Sequence, residues 1–184
     1  NGMSDVREIA NNAQDIDPDA DSDGAGVPNR LEAIAGTNPF DARSVPRILP
    51  ITVSSNGVRV MIEGALGKQY DLQACEAICG AMGTNWLTER SMVARTNTLV
   101  VLNAPADLPV KFFRVSISDV DTDGDGLTDW EEYQLGLDPF SPSSNGKTDS
   151  SGNALTDLAY ARQWLSTAMA NSKHIGTMRM MASG

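Results

Sequence analysis

A mainly β fold is what this 184-residue sequence predicts: an antiparallel sandwich flanked by two short loop–helix repeats and followed by one C-terminal helix. Three observations carry that prediction. Residues 47–118 hold six candidate strands, several of which alternate apolar with polar residues, the period of a half-buried strand. Two acidic segments bracket that region and align with each other, without a gap, at an offset of 100 residues. Beyond them, a polar stretch gives way to a helical pattern near the C-terminus.

The elements follow in chain order. Residues 1–14 are an N-terminal segment, and residues 15–46 hold the first acidic repeat. Candidate strands are 48–54, 57–63, 69–75, 86–93, 97–103 and 110–118. Val58, Val60 and Ile62 oppose Arg59, Met61 and Glu63, and Ser55-Asn56-Gly57 is a tight-turn signal joining the first two strands. Six strands at this spacing suggest a sandwich of the immunoglobulin or fibronectin kind, with Tyr70, Trp86 and Phe112 as core aromatics. Residues 119–140 are the second acidic repeat and 141–184 a polar linker with a helix over 155–170. The helix is expected to present Leu155, Leu158, Ala159, Arg162, Leu165, Ser166 and Met169 near one face.

The formal net charge is −10, which makes nucleic acid a poor partner, and no apolar run approaches the ~18 residues of a membrane span. The acidity is local. Residues 15–41 carry seven acids against Arg30 alone, and 119–138 carry eight acids and no base, so the remainder of the chain is net positive. Packed carboxylates repel unless something neutralises them, and a hard divalent cation does so directly.

With Asp121 as position 1 of a 12-residue loop, Asp121, Asp123 and Asp125 occupy positions 1, 3 and 5, Gly126 position 6, Asp129 position 9 and Glu132 position 12. Ca²⁺ takes six to eight oxygens. Alternating carboxylates supply several, the Leu127 carbonyl at position 7 another, and Glu132 closes the loop with both oxygens. Asp129 is expected to ligate directly or through water. The first copy places Asp21, Asp23, Val27, Asn29 and Glu32 at positions 1, 3, 7, 9 and 12, but Ala25 stands at position 5, so weaker binding is expected there. Segment 149–157 has the same rhythm with most ligands gone, as an eroded third copy would.

Neither loop is a full EF-hand, since the strand 112–118 precedes Asp121 where a helix would enter. The run Asp121-Thr-Asp-Gly-Asp-Gly-Leu-Thr-Asp-Trp-Glu-Glu with Gly136-Leu-Asp-Pro resembles the bacterial thrombospondin type 3 repeat. The first copy, ending in Gly36-Thr-Asn-Pro, resembles it less closely. The resemblance implies Ca²⁺ as cofactor, a calcium-stiffened connector and a secreted or cell-surface setting. Tyr70-Asp-Leu-Gln, Trp86 and Phe112-Phe-Arg-Val also resemble sandwich modules found beside such repeats.

A turn at 76–78 would bring Cys75 and Cys79 within disulfide reach; two buried thiols are the alternative, and no histidine nearby suggests zinc. His174 reads as a solvated loop residue. No nucleophile elbow, phosphate loop or histidine metal site is present, so a non-enzymatic module is expected. Besides the structural connector, two readings stay open. A subunit of a filament or homo-oligomer would self-associate through strands or its Met-rich tail, and a carbohydrate- or surface-binding module would expose Trp86 and Trp130.

Overall fold

The computed structural model describes residues 3–76, 85–96, 99–107 and 110–181, with side chains as far as residue 170. The chain is mainly β, with antiparallel sheets and four helices among the described residues. Helix α1 is Asp5–Ala10 and α2 is Asn29–Ala35. The strands are β1 (Arg47–Ile48), β2 (Thr52–Ser54), β3 (Gly57–Glu63), β4 (Lys68–Cys75), β5 (Leu87–Val93), β6 (Leu99–Ala104) and β7 (Phe112–Asp119). Helix α3 is Asp129–Leu135 and α4 is Asp157–Met181.

The expected strand 48–54 is two pieces, β1 and β2, which pair with opposite ends of β3 (Ile48 with Ile62, Val53 with Val58). Pro50 sits in the break, where it has no amide hydrogen to give the ladder. The other edge of β3 pairs with β6 along its whole length. In the second sheet β4 lies between β5 and β7. Pairing with β5 shifts register between Leu72 and Gln73, whereas pairing with β7 runs unbroken from Lys68–Asp119 to Cys75–Phe112.

Both sheets contribute to one core. Val58, Val60 and Ile62 from β3 and Val100 and Leu102 from β6 meet Tyr70 and Leu72 from β4. Tyr70 is fully buried and its hydroxyl accepts the Ala65 N–H at 2.8 Å. A side chain at Gly64 would fall 1.9 Å from that hydroxyl, which explains the glycine there. Two of the three expected core aromatics are elsewhere. Phe112 is 36% exposed, and Phe113 packs on the core in its place. The parity of β7 decides this: Phe113, Val115 and Ile117 oppose the buried Ala74, Leu72 and Tyr70, so Phe112 faces outward. Trp86 is half-buried outside the core, with Arg114 4.5 Å above its ring. Cys75 is buried, and Cys79 lies outside the described residues.

Helix α4 begins at Asp157, two residues later than expected, with the Thr156 hydroxyl accepting the Ala159 N–H at 3.3 Å. It docks through Ala161, which is almost fully buried beside Leu127 and Leu137. Arg162, Ser166 and Met169 are exposed. The docked face is centred on a small residue, because alanine permits the helix to approach the loop closely. Helix α4 runs past the expected end at residue 170 as far as Met181, so His174, expected in a loop, lies on the helix; its side chain and those of the methionines at 178, 180 and 181 lie beyond the described ones.

Candidate metal centre

Both acidic loops are shaped by short-range hydrogen bonds that the sequence itself dictates. In the second, Asp121 accepts from the N–H groups of Gly124 (2.7 Å) and Gly126 (3.0 Å), and Asp123 accepts from Asp125 N–H (3.1 Å). In the first, Asp21 accepts from Gly24 (2.9 Å) and Gly26 (2.8 Å), and Asp23 from Ala25 (2.9 Å). These turns need left-handed backbone at positions 4 and 6, and Gly124 (φ 78°) and Gly126 (φ 99°) supply it. Each loop runs into a short helix that Gly36 or Gly136 ends in the left-handed conformation. Thr128 and Glu131 form a reciprocal capping box at the start of α3; Pro28, at the same place before α2, makes no side-chain cap.

The turns aim carboxylates inward. Asp121, Asp123 and Asp125 each offer an oxygen within 4.8 Å of the others. Glu132, one turn into α3, is fully buried, and neither of its oxygens has a partner; Oδ2 of Asp123 is also buried and unpartnered. The first loop repeats the pattern with Oδ2 of Asp23 and Oε2 of Glu32. A buried carboxylate oxygen without a donor is costly, so the same orphan atoms at matched positions of both loops fit a bound cation. Burial, followed by the charges of Asp123, Asp125, Asp129 and Asp157, pushes the Glu132 carboxyl up to about 8 in the ion-free protein. Glu32 and Asp123 are likewise raised, burial being the leading cause in each.

The position-9 residues have further partners within and beyond the loop. Asp129 accepts from Thr122 N–H and Oγ1 (both 2.8 Å) and from Arg95 Nη1 (3.3 Å). Asn29 accepts from Ser22 N–H at 3.4 Å and donates to the Asp17 carbonyl at 2.7 Å. Both therefore brace position 2 of their own loop. Leu127 and Val27 sit at position 7, just ahead of each helix.

The copies differ at two places that bear on a ligand. Position 5 is Asp125 in one and Ala25 in the other, as the sequence shows. The structure adds that Glu32 Oε1 accepts the Thr37 hydroxyl at 3.1 Å, whereas Leu137 at the matching place leaves both Glu132 oxygens free. Asp125 has a further task, since its Oδ2 accepts the Leu158 N–H of α4 at 3.1 Å. The eroded third copy does not repeat the pattern. Asp149 accepts from Ser151 and Asn153 in a tight turn, and buried Asp157 is saturated by Ser144 and Asn145. Burial would raise the Asp157 carboxyl, but those donors prevail and hold it below the usual range.

Sequence reasoning missed how the repeats meet. Trp130 of α3 is buried, with Arg7 of α1 5.5 Å and Lys68 of β4 5.2 Å from its ring centre. Lys68 Nζ donates to the Ala33 carbonyl of α2 (3.1 Å) and pairs with Asp119. Arg7 donates to the carbonyls of Ala33 and Thr37. The repeats, 100 residues apart in sequence, therefore share one polar and aromatic seam. The repeat unit also runs past Pro-Phe. Ser44 Oγ accepts Asn38 N–H at 2.9 Å and Ser144 Oγ accepts Asp138 N–H at 2.8 Å, so the copies are alike as far as residues 44 and 144.

An acidic 12-residue loop followed by a short glycine-capped helix, present twice, defines a calcium-binding structural repeat rather than a catalytic unit. Residues 21–42 and 121–142 both match the family described as the bacterial TSP3 repeat, so the chain carries two bacterial thrombospondin type 3 repeats. Such repeats bind calcium, and among the described residues Asp121, Asp123 and Asp125 form a cluster that could hold an ion. No curated protein and no solved structure matches the chain. Among the described residues, no helix is long and apolar enough to cross a membrane.

Proposed function

We propose that this chain is a non-catalytic, calcium-stiffened connector of a secreted or cell-surface protein. In it a β-sandwich, residues 47–118, is joined rigidly to two repeats at 15–46 and 119–140. Asp121, Asp123, Asp125, the Leu127 carbonyl and Glu132 would hold one ion, with Asp129 bracing the loop. Asp21, Asp23, the Val27 carbonyl and Glu32 would hold a second, with Asn29 in the bracing place. Bound Ca²⁺ would supply the positive charge that these inward carboxylates otherwise lack. The protein's own part is to deliver that charge to the fold. Asp125 ties its loop to α4, Glu132 to α3, and Trp130 with Lys68 and Arg7 ties the two repeats to each other and to β4.

The observation that carries this reading is the matched set of buried, unpartnered oxygens in both loops. The carbohydrate-platform reading loses its discriminating residues, since Trp130 is buried and Trp86 is half-buried under Arg114.

Calorimetric titration tests it. Two binding events are expected, the tighter at 121–132, because the 21–32 loop lacks a carboxylate at position 5 and shares Glu32 with Thr37. Asp123→Ala should abolish the tight event and Asp23→Ala the weak one. Equal affinities, or loss of the weak event in Asp123→Ala, would overturn the assignment.

A further inference from the structure

The sandwich is finished on one side and unfinished on the other. β5 lies against β6, which closes the core there, but β7 makes no comparable contact with β1 or β2. The consequence shows in cross-strand partners, which share a face of their sheet. Ile48 opposes Ile62 and Val53 opposes Val58, and Ile62 and Val58 are buried in the core. Ile48 and Val53 therefore belong to the inner face too, yet they are 56% and 70% exposed. Across from them, Phe113, Val115 and Ile117 are only partly buried, although their β4 partners are fully so.

The backbone is unfinished at the same place. β7 is an edge strand eight residues long, without proline and without a break in register against β4. Among the described residues, no backbone hydrogen bond reaches its outer edge. Edges of this kind are normally blunted or covered. The missing occupant is an extended strand whose inward residues are apolar at alternate positions.

We infer that the occupant is β7 of a second copy, paired antiparallel about a two-fold axis at Val115, so that each chain completes the other's sandwich. The sequence of β7 is complementary to itself in that register. Val115 meets its own counterpart, Phe113 meets Ile117, Arg114 meets Ser116, Phe112 meets Ser118 and, beyond the strand end, Lys111 meets Asp119. The apolar set stays on the inner face, where it would cover Ile48 and Val53, while Lys111 and Asp119 at the ends keep their own ion pairs with Glu89 and Lys68. The neighbouring registers of the same parity are worse. One sets Arg114 against Arg114, and the other sets Phe113 against Asp119. Such a dimer turns two three-stranded sheets into one of six strands through an isologous interface. It goes beyond the calcium reading and does not rest on it, and calcium is kept saturating in its test.

The test is sedimentation equilibrium of the full chain across a dilution series, with two variants. The parent protein should show a monomer–dimer equilibrium. Ser116→Arg, on the solvent face, places like charges opposite each other twice, and should raise the dissociation constant about tenfold while leaving the melting temperature unchanged at dilutions where both proteins are monomers. Val115→Cys puts two thiols across the axis at a Cα separation of about 4.5–5.5 Å, so oxidation should join position 115 of two chains, read by peptide mass spectrometry. A monomer at every concentration would overturn the inference. So would a dimer that ignores Ser116→Arg and fails to cross-link at 115, because its interface would lie elsewhere. Slow hydrogen exchange of the β7 amides in a monomer would also overturn it, and would identify another segment of the chain as the cover.

Discussion

Removing calcium should lower the melting temperature by about 5–10 °C for each ion lost at a hundredfold excess over Kd. That excess corresponds to about 2.7 kcal/mol, and a domain of this size shifts by roughly 2–4 °C per kcal/mol. The ion-free protein should also become less stable as the pH rises from about 4.5 to 8. The sign follows from Glu132, whose carboxyl is raised to about 8 in the fold but is ordinary once unfolded. The folded state then holds more protons through that window, and deprotonation on raising the pH favours unfolding. With calcium present the dependence should reverse or vanish, since ligation needs the ionised carboxylates. Thermal melts at pH 5 and pH 8, with and without chelator, measure all four corners. A chelated protein that melts at the calcium-loaded temperature at pH 8 would remove the stiffening role. Limited proteolysis should cut the chelated chain first within the two acidic loops, and later in the β-sheets.

Trp130→Ala should cost about 3–5 kcal/mol, the range for removing a buried tryptophan, and so lower the melting temperature by at least about 6 °C. The loss goes beyond a cavity, because Lys68 and Arg7 would each lose the ring they stack on while remaining buried. Burial already pulls Lys68 below its usual pKa and Arg7 down to about 10. Trp130→Phe keeps a ring face for both cations and should restore more than half of the loss. Melting curves of the two variants in saturating calcium separate this seam from the ion sites. A change below about 2 °C in Trp130→Ala would mean that the repeats are held together by something else.

The acidic loops were legible because their geometry is local. Asp121 reaches Gly124 and Gly126, three and five residues on, and Asp21 reaches Gly24 and Gly26 in the same way. Carboxylate, glycine and spacing therefore specify the turn with no help from the rest of the chain. The strands were legible for a similar reason, since a period of two is written residue by residue. The inward place of Phe113 was legible as well, because Val115 and Ile117 set the parity; reading Phe112 as core overlooked that signal.

The seam between the repeats could not be read this way. Nothing near Lys68 or Arg7 in sequence marks them as buried cations, for their partners are Asp119, Ala33, Thr37 and Trp130, all at least 26 residues away. The same holds for Asp129. Its position in the loop reads as a ligand, direct or through water; the structure adds that its oxygens accept from Thr122 and from Arg95, which the β5–β6 connection brings over the loop. It holds for Asp125 also, whose second oxygen meets α4 33 residues further on. Sequence by itself determined where carboxylates cluster and which residues alternate, because both are properties of neighbours along the chain. Which buried charge meets which partner was decided only by tertiary structure. A buried ion must be paired wherever the fold brings a partner, and chain distance carries no record of that encounter.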